Sequence, residues 1–170
     1  MDIKSLYREI VNEHNLHPEH KHDLDNPTMV LNGVNPSCGD DINLQLKIEN
    51  GIVTDAAFNG SGCAISQAST DMMCDQIIGK SEEEALSLAG DFKDMIHGTA
   101  TQEQKDALDE AAALEDISHM PARVKCAMLG WRTMKEMIED LQKNGTKTAQ
   151  VSANNSEVCG SCQRTDCDRK

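Results

Sequence analysis

The chain has 170 residues, a length that fits one domain with a modest hydrophobic core. Hydrophobic residues make up 38% of it and aromatic residues only 2%, so the core has to consist of aliphatic side chains and methionine. A net charge of −13 argues against nucleic-acid binding, and no apolar run is long enough to span a membrane. No signal-peptide pattern is present, so we expect a reducing cytoplasmic location, where scattered cysteines indicate metal or thiol chemistry.

The N-terminal segment predicts one helix followed by a histidine-rich loop. Apolar residues at helical spacing indicate a helix over residues 2–14, and Pro18 lies just beyond it. Four histidines lie close together here: His14, His17, His20 and His22. Such a cluster can hold a metal, but no cysteine or paired carboxylate joins it at close spacing. We therefore interpret it as a polar loop.

Residues 28–58 predict a small antiparallel sheet. Residues 28–34 have the character of a short strand, and residues 42–48 alternate strictly between apolar and polar side chains. Asn50-Gly51 accepts the positive φ angles of a tight hairpin turn, which leads into a third strand over residues 52–58. One face of this third strand is predicted to consist of Ile52, Ala56 and Phe58.

Helical patterns follow the sheet. We expect a helix from about Cys63 to residue 78, because apolar side chains recur at helical spacing and Gly79 is a typical residue to end it. Ser81 begins a capping-box pattern that predicts a further helix ending near Gly90.

The rest of the chain completes an α+β pattern. We expect a short helix over residues 101–114 and a long final helix from Pro121 to just before residue 144. Residues 1–145 are therefore predicted to be one domain, a three-stranded antiparallel sheet with helices against one face. Residues 146–170 lack apolar periodicity and are expected to be a disordered tail. The tail carries Cys159, Cys162 and Cys167, and nothing around them supports a specific redox or zinc function.

Four side chains form a candidate metal site: Cys38, Asp40, Cys63 and Cys126. Cys38 and Asp40 flank a glycine in a tight loop, whereas Cys63 and Cys126 lie near the starts of predicted helices, which favour thiolates. Scattered cysteines are more often small buried hydrophobic residues, but positions at element boundaries favour a site. Three thiolates and one oxygen match the ligand preference of zinc. Cys74 lies in mid-helix and is expected to be structural.

The surrounding motifs resemble those of the U-type iron–sulfur assembly proteins, the family of IscU and SufU. The motifs are Asn35–Asp40 (NPSCGD), Gly60–Ser66 (GSGCAIS) and Arg123–Ala127 (RVKCA). The resemblance extends over residues 5–142 and implies the SufE/IscU-like fold. Two features resemble SufU more than IscU, namely Lys125 in place of a histidine before the third cysteine and a long segment before that cysteine.

The resemblance implies a zinc-dependent sulfurtransferase that works with a SufS-type cysteine desulfurase and supplies downstream Suf scaffold proteins. By similarity, Cys38 accepts sulfur from the desulfurase persulfide, and Cys38, Asp40, Cys63 and Cys126 bind zinc. A thiolate tied to a metal is a poor nucleophile, so one ligand has to be released before transfer. Our hypothesis is that the partner supplies a replacement ligand and that the loop around Gly39 releases Cys38 or Asp40.

Two alternatives remain. The same four residues suit a scaffold that assembles a [2Fe–2S] cluster, although Lys125 argues against it. A zinc-stabilised adaptor without sulfur chemistry is the third interpretation. Metal content separates zinc from iron with sulfide, and a sulfur-loaded Cys38 would exclude the adaptor.

Overall fold

The computed structural model describes residues 2–144 and 151–153. Its helices are α1 (Ile3–Leu16), α2 (Ala64–Ile77), α3 (Glu82–Ile96), α4 (Gln102–Ala107), a 3₁₀ segment (Asp109–His119) and α5 (Pro121–Asn144). Its strands are β1 (Met29–Asn35), β2 (Asp40–Glu49), β3 (Ile52–Ser61) and β4 (Val151–Ala153). The predicted tail, with its three cysteines, lies outside the described residues except for β4. No described helix is long and apolar enough to cross a membrane.

The sheet confirms the predicted antiparallel meander of β1, β2 and β3. The strand order over the described residues is β3-β2-β1-β4, with β1 and β3 each antiparallel to β2. Asn50 and Gly51 have φ angles of 53° and 76°, as the hairpin between β2 and β3 requires. The short β4 lies parallel to β1, with Val151 opposite Leu31.

Helices α2 and α5 pack on the sheet, and α3 packs on α5, so the α+β prediction is confirmed. The core contains Trp131, whose ring stacks on Phe92 with centroids 4.6 Å apart, and whose Nε1–H donates to Ser69 Oγ at 3.2 Å. Aliphatic side chains and methionine fill most of the remainder, as the composition predicts. At Gly130 of α5, an added Cβ would collide with Thr70 of α2. The glycine therefore lets the two helices approach closely, which brings Cys63 and Cys126 to one end of the domain.

Three details of the prediction are wrong. The helix that begins after Ser81 continues through Gly90 to Ile96, because the apolar face that includes Phe92 extends past the glycine. The short helix expected over residues 101–114 is α4 followed by a 3₁₀ segment. Ile52 is 38% exposed, because a register shift near the hairpin takes it out of the core face.

Candidate metal centre

Four element boundaries meet at one end of the domain. Asn35 ends β1 and Asp40 begins β2, so a short turn holds Cys38 between two paired strands. Cys63 is the N-cap of α2, and Cys126 lies in the second turn of α5. The structure therefore places the four predicted ligands on three segments that converge, although these segments are far apart in sequence.

The sulfur atoms of Cys38 and Cys126 lie 2.8 Å apart, and the Cys126 thiol donates to Cys38. Donor atoms of Cys38, Asp40 and Cys126 all lie within 4.8 Å of one another. The Cys63 sulfur is not a member of this close group, although the Cys126 thiol is within hydrogen-bonding reach of it. Three sulfur atoms and one carboxylate oxygen are the donor types that zinc sites use, so the chemistry of these side chains fits the metal.

The Asp40 carboxylate is the fixed member of the site. Its side chain is fully buried, and Oδ1 accepts the backbone N–H of Cys63 at 2.8 Å and the hydroxyl of Ser66 at 3.1 Å. Its Oδ2 accepts a hydrogen bond from Asn35 Nδ2 at 3.1 Å. Because these bonds hold both oxygens, the expectation that the loop releases either Cys38 or Asp40 has to be revised: Asp40 is held.

Cys38 is the most accessible member of the group formed with Asp40 and Cys126. Its side chain is partly exposed, and the neighbouring residues Pro36, Ser37 and Gly39 are exposed. Gly39 has a φ of +69°, a conformation that favours glycine, and an added Cβ there would meet no atom within 4 Å. The turn thus has open space around it, so Cys38 can move without displacing the core.

The guanidinium of Arg123 supplies positive charge to the thiols. The pKa of Arg123 is raised by the nearby sulfurs of Cys63, Cys126 and Cys38, and the side chain hydrogen-bonds to Cys126. A cation at this position attracts negative charge in the site. Burial raises the pKa of the Cys126 thiol above its usual range, and its hydrogen bond to Cys38 raises it further.

Three residues that build this site have no predicted role: Asn35, Ser66 and Arg123. Asn35 is buried and donates to Asp40 Oδ2 and, at 3.5 Å, to the Cys126 sulfur. Ser66 follows Cys63 by three residues, and Arg123 precedes Cys126 by three, so each faces its cysteine across one helical turn. That spacing is the signal that would have identified Ser66 and Arg123, whereas the contact of Asn35 with Cys126 spans 91 residues.

Cys74 behaves as expected for a structural cysteine. It is fully buried in α2, and burial raises its pKa well above the usual range, followed by the effect of nearby carboxylates such as Asp71. A thiol that stays protonated is a poor nucleophile and a poor metal ligand.

Comparison with known proteins gives consistent matches over most of the chain. The family model described as NifU-like N terminal domain matches residues 6–127. The iron–sulfur cluster assembly scaffold protein IscU of Streptococcus pyogenes is 44% identical over 138 residues, which are 81% of this chain and 85% of that protein. The zinc-dependent sulfurtransferase SufU of Bacillus subtilis is 41% identical over 137 residues, which are 79% and 90% of the two chains.

Solved structures show the same fold. One crystal structure, described as an iron–sulfur cluster assembly scaffold protein for the SUF system of Fervidobacterium islandicum, matches with a TM-score of 0.71 at 34% identity. The match covers 75% of this chain and 93% of that one. A second, described as a hypothetical protein, matches with a TM-score of 0.75 at 41% identity and covers 80% and 98% of the two chains.

Proposed function

Because the chain belongs to the NifU-like N-terminal domain family, we propose that it is a zinc-dependent sulfurtransferase of iron–sulfur cluster assembly. In this proposal a SufS-type cysteine desulfurase is its partner, and Cys38 is the residue that receives the sulfur. The single observation that carries the proposal is the contrast within the site between a partly exposed Cys38 on an open turn and a buried, hydrogen-bonded Asp40.

Zinc, when bound to Cys38, Asp40, Cys63 and Cys126, would keep thiolates deprotonated near neutral pH without redox chemistry of its own. The protein's own residues supply charge at the site and position its ligands. Arg123 places a positive charge beside the cysteine sulfurs. Asn35 and Ser66 hold Asp40 in place while Cys38 moves. Free thiols of this kind fit a reducing compartment such as the cytosol.

The transfer step is a thiol exchange. The Cys38 thiolate attacks the outer sulfur of the partner's persulfide, the partner's S–S bond breaks, and the partner's cysteine leaves as a thiolate. Cys38 then carries the persulfide with its proton, and no net oxidation or reduction occurs. The turn that carries Cys38 lies beside the exposed start of α5, at Pro121 to Arg123, so a partner can approach the thiol from solvent.

A mass spectrum of the protein after incubation with a cysteine desulfurase and cysteine tests this proposal. We expect the mass to increase by one or more sulfur atoms, and peptide mapping to place the sulfur on Cys38. Cys38→Ala should lose the increase and the stimulation of the desulfurase, whereas Cys74→Ala, which removes a buried thiol, should retain both. Sulfur loading that persists in Cys38→Ala would refute the acceptor assignment.

The second candidate is a scaffold that assembles a [2Fe–2S] cluster on the same residues, and the name of the Streptococcus pyogenes relative favours it. Lys125 directly precedes Cys126 and supports the sulfurtransferase. The resemblance to the U-type family implies that IscU proteins have a histidine at this position. Metal analysis of protein purified without added metal separates the two. Zinc without visible absorbance supports the sulfurtransferase, whereas iron with equimolar sulfide supports the scaffold.

A further inference from the structure

A second group of metal-ligand side chains lies between α1, the histidine-rich segment and α2. His14 Nδ1 is 2.7 Å from Asp71 Oδ2, and His20 Nε2 is 2.6 Å from Asp75 Oδ1. The backbone N–H of His20 also donates to Asp71 Oδ1 at 2.9 Å. Asp71 and Asp75 are four residues apart, so they present both carboxylates on one face of α2. The structure thus supplies the paired carboxylates that the sequence around the histidines lacks.

Three of these side chains are close enough to share one cation, and Asp75 links them to His20. Donor atoms of His14, Asp71 and Asp75 all lie within 4.8 Å of one another, and a second group of this kind joins His20 to Asp75 and Glu19. The other ring nitrogen of His14, Nε2, lies 3.0 Å from Glu110 of the 3₁₀ segment. A histidine that ligates a metal through one nitrogen typically donates its other N–H to a carboxylate. Glu110 is placed to receive that hydrogen bond.

The charge of the group favours a cation. Asp71 is fully buried, and with neutral imidazoles the three carboxylates of Asp71, Asp75 and Glu110 give a formal charge of −3. Burial alone would lower the pKa of His14, but the hydrogen bonds that its ring donates to Asp71 and Glu110 outweigh this effect, and the pKa is raised. The field that holds a proton on this ring would also attract a divalent ion, which would displace the proton.

We propose that His14, His20, Asp71 and Asp75 form a second metal site, which binds a divalent first-row transition-metal ion through nitrogen and oxygen. Imidazole with carboxylate suits ions such as Fe²⁺, Zn²⁺ and Mn²⁺, whereas the thiolate-rich site selects softer ones. Asp71 follows Cys63 by eight residues on α2, so the two sites are separated by about 12 Å along the helix. The proposal of this second metal site does not rest on the proposed sulfur transfer.

A cobalt titration of the full-length protein, preloaded with one equivalent of Zn²⁺, tests the proposal. We expect a further equivalent of Co²⁺ to bind with weak visible bands and without the near-ultraviolet charge-transfer band that thiolate ligands produce. The spectrum therefore separates the two sites even if cobalt also enters the cysteine site. His14→Gln and Asp71→Asn should each weaken this binding at least about tenfold, whereas Glu83→Gln, an exposed acid on α3, should leave it unchanged.

The proposal would be overturned if no additional equivalent of Co²⁺ binds, or if His14→Gln and Asp71→Asn bind Co²⁺ with the affinity of the parent protein. Because Asp71 is buried and its variant can fail to fold, His20→Ala is the second probe, and it should also weaken binding.

Co²⁺ should raise the Tm of the parent protein by mass action and not that of the variants. A purely structural network would instead lower the metal-free Tm of the variants and leave the cobalt-induced rise intact. Anaerobic Fe²⁺ or Zn²⁺ should displace the cobalt, and displacement by neither would also contradict the proposal.

Discussion

The carboxylate of Asp40 accepts the backbone N–H of Cys63 at 2.8 Å and thereby joins the start of β2 to the start of α2. The carboxylate sits where the unpaired N–H groups of a helix N-terminus favour an anion. It therefore serves the fold as well as the candidate metal centre. This dual role makes the effects of Asp40 on stability and on metal binding separable by experiment.

Asp40→Asn should destabilise the metal-free protein, because a buried amide cannot accept the hydrogen bonds of Cys63, Ser66 and Asn35 as a carboxylate does. We expect the free energy of unfolding to fall by about 1–3 kcal/mol, measured by urea denaturation with a chelator present. The control is Asp41→Asn, an exposed neighbour whose change should cost less than about 0.5 kcal/mol. Equal stability of Asp40→Asn and the parent would show that Asp40 does not stabilise the metal-free fold.

Gly62→Ala should damage the metal centre while the fold persists. The added Cβ would collide with the Ser66 hydroxyl and lie 3.0 Å from Asp40 Oδ1, so it would push the carboxylate away from its place. We expect zinc affinity, measured by competition with a chromogenic chelator, to fall roughly 10–100-fold.

The matched control for Gly62 is Gly90→Ala in α3. An added Cβ there meets no atom within 4 Å, and Gly90 lies inside a helix. This variant should be more stable by about 0.5–1 kcal/mol and keep the zinc affinity of the parent. If both variants bind zinc equally well, the crowding argument at Gly62 is wrong.

The fold was largely predictable because its signals are local. The alternation in β2, the Asn50-Gly51 turn and the capping box at Ser81 each depend on residues close in sequence, and each is observed. The role of Asn35 and the fixed position of Asp40 depend on contacts between distant segments. Periodicity carries no information on such contacts.

The histidine-rich segment shows the same limit. Its side chains have no paired carboxylate nearby in sequence, and a polar loop was the natural interpretation. The partners of His14 and His20 are Asp71 and Asp75, which lie 57 and 55 residues further along the chain. Only the packing of α1 and its following loop against α2 brings them together.

Arg123→Gln should slow the reaction of Cys38 with an alkylating agent in the metal-free protein. The guanidinium lies near three cysteine sulfurs, and alkylation proceeds through an anionic sulfur, whose charge a neighbouring cation attracts. We expect the alkylation rate at neutral pH, followed by mass spectrometry, to fall several-fold. The difference from the parent should shrink at about 1 M salt, where screening is strong.

Arg8→Gln is the control for this charge effect, since Arg8 is an exposed residue of α1. It changes the net charge of the protein by the same amount as Arg123→Gln. Its alkylation rate should equal that of the parent. A similar slowing in both variants would assign the effect to overall charge and not to the contact of Arg123 with the site.

The His14 contacts predict a defined pH dependence of stability. Despite burial, the hydrogen bonds with Asp71 and Glu110 raise the pKa of His14 above its ordinary value of 6.5. A group whose pKa is raised on folding binds its proton more tightly in the folded state. Its stabilising contribution is therefore complete below pH 6.5 and is lost as the pH rises through the higher folded-state value.

Urea denaturation of the metal-free protein across this range measures the effect. Stability of the parent should decline as the pH rises above 6.5, and His14→Gln should reduce this decline because it removes the titrating ring. His22→Gln is the matched control, because His22 is exposed and its ring contacts the neighbouring backbone carbonyl of Asp23. It should keep the slope of the parent, whereas a slope unaffected by His14→Gln would show that the His14 contacts do not favour the protonated ring.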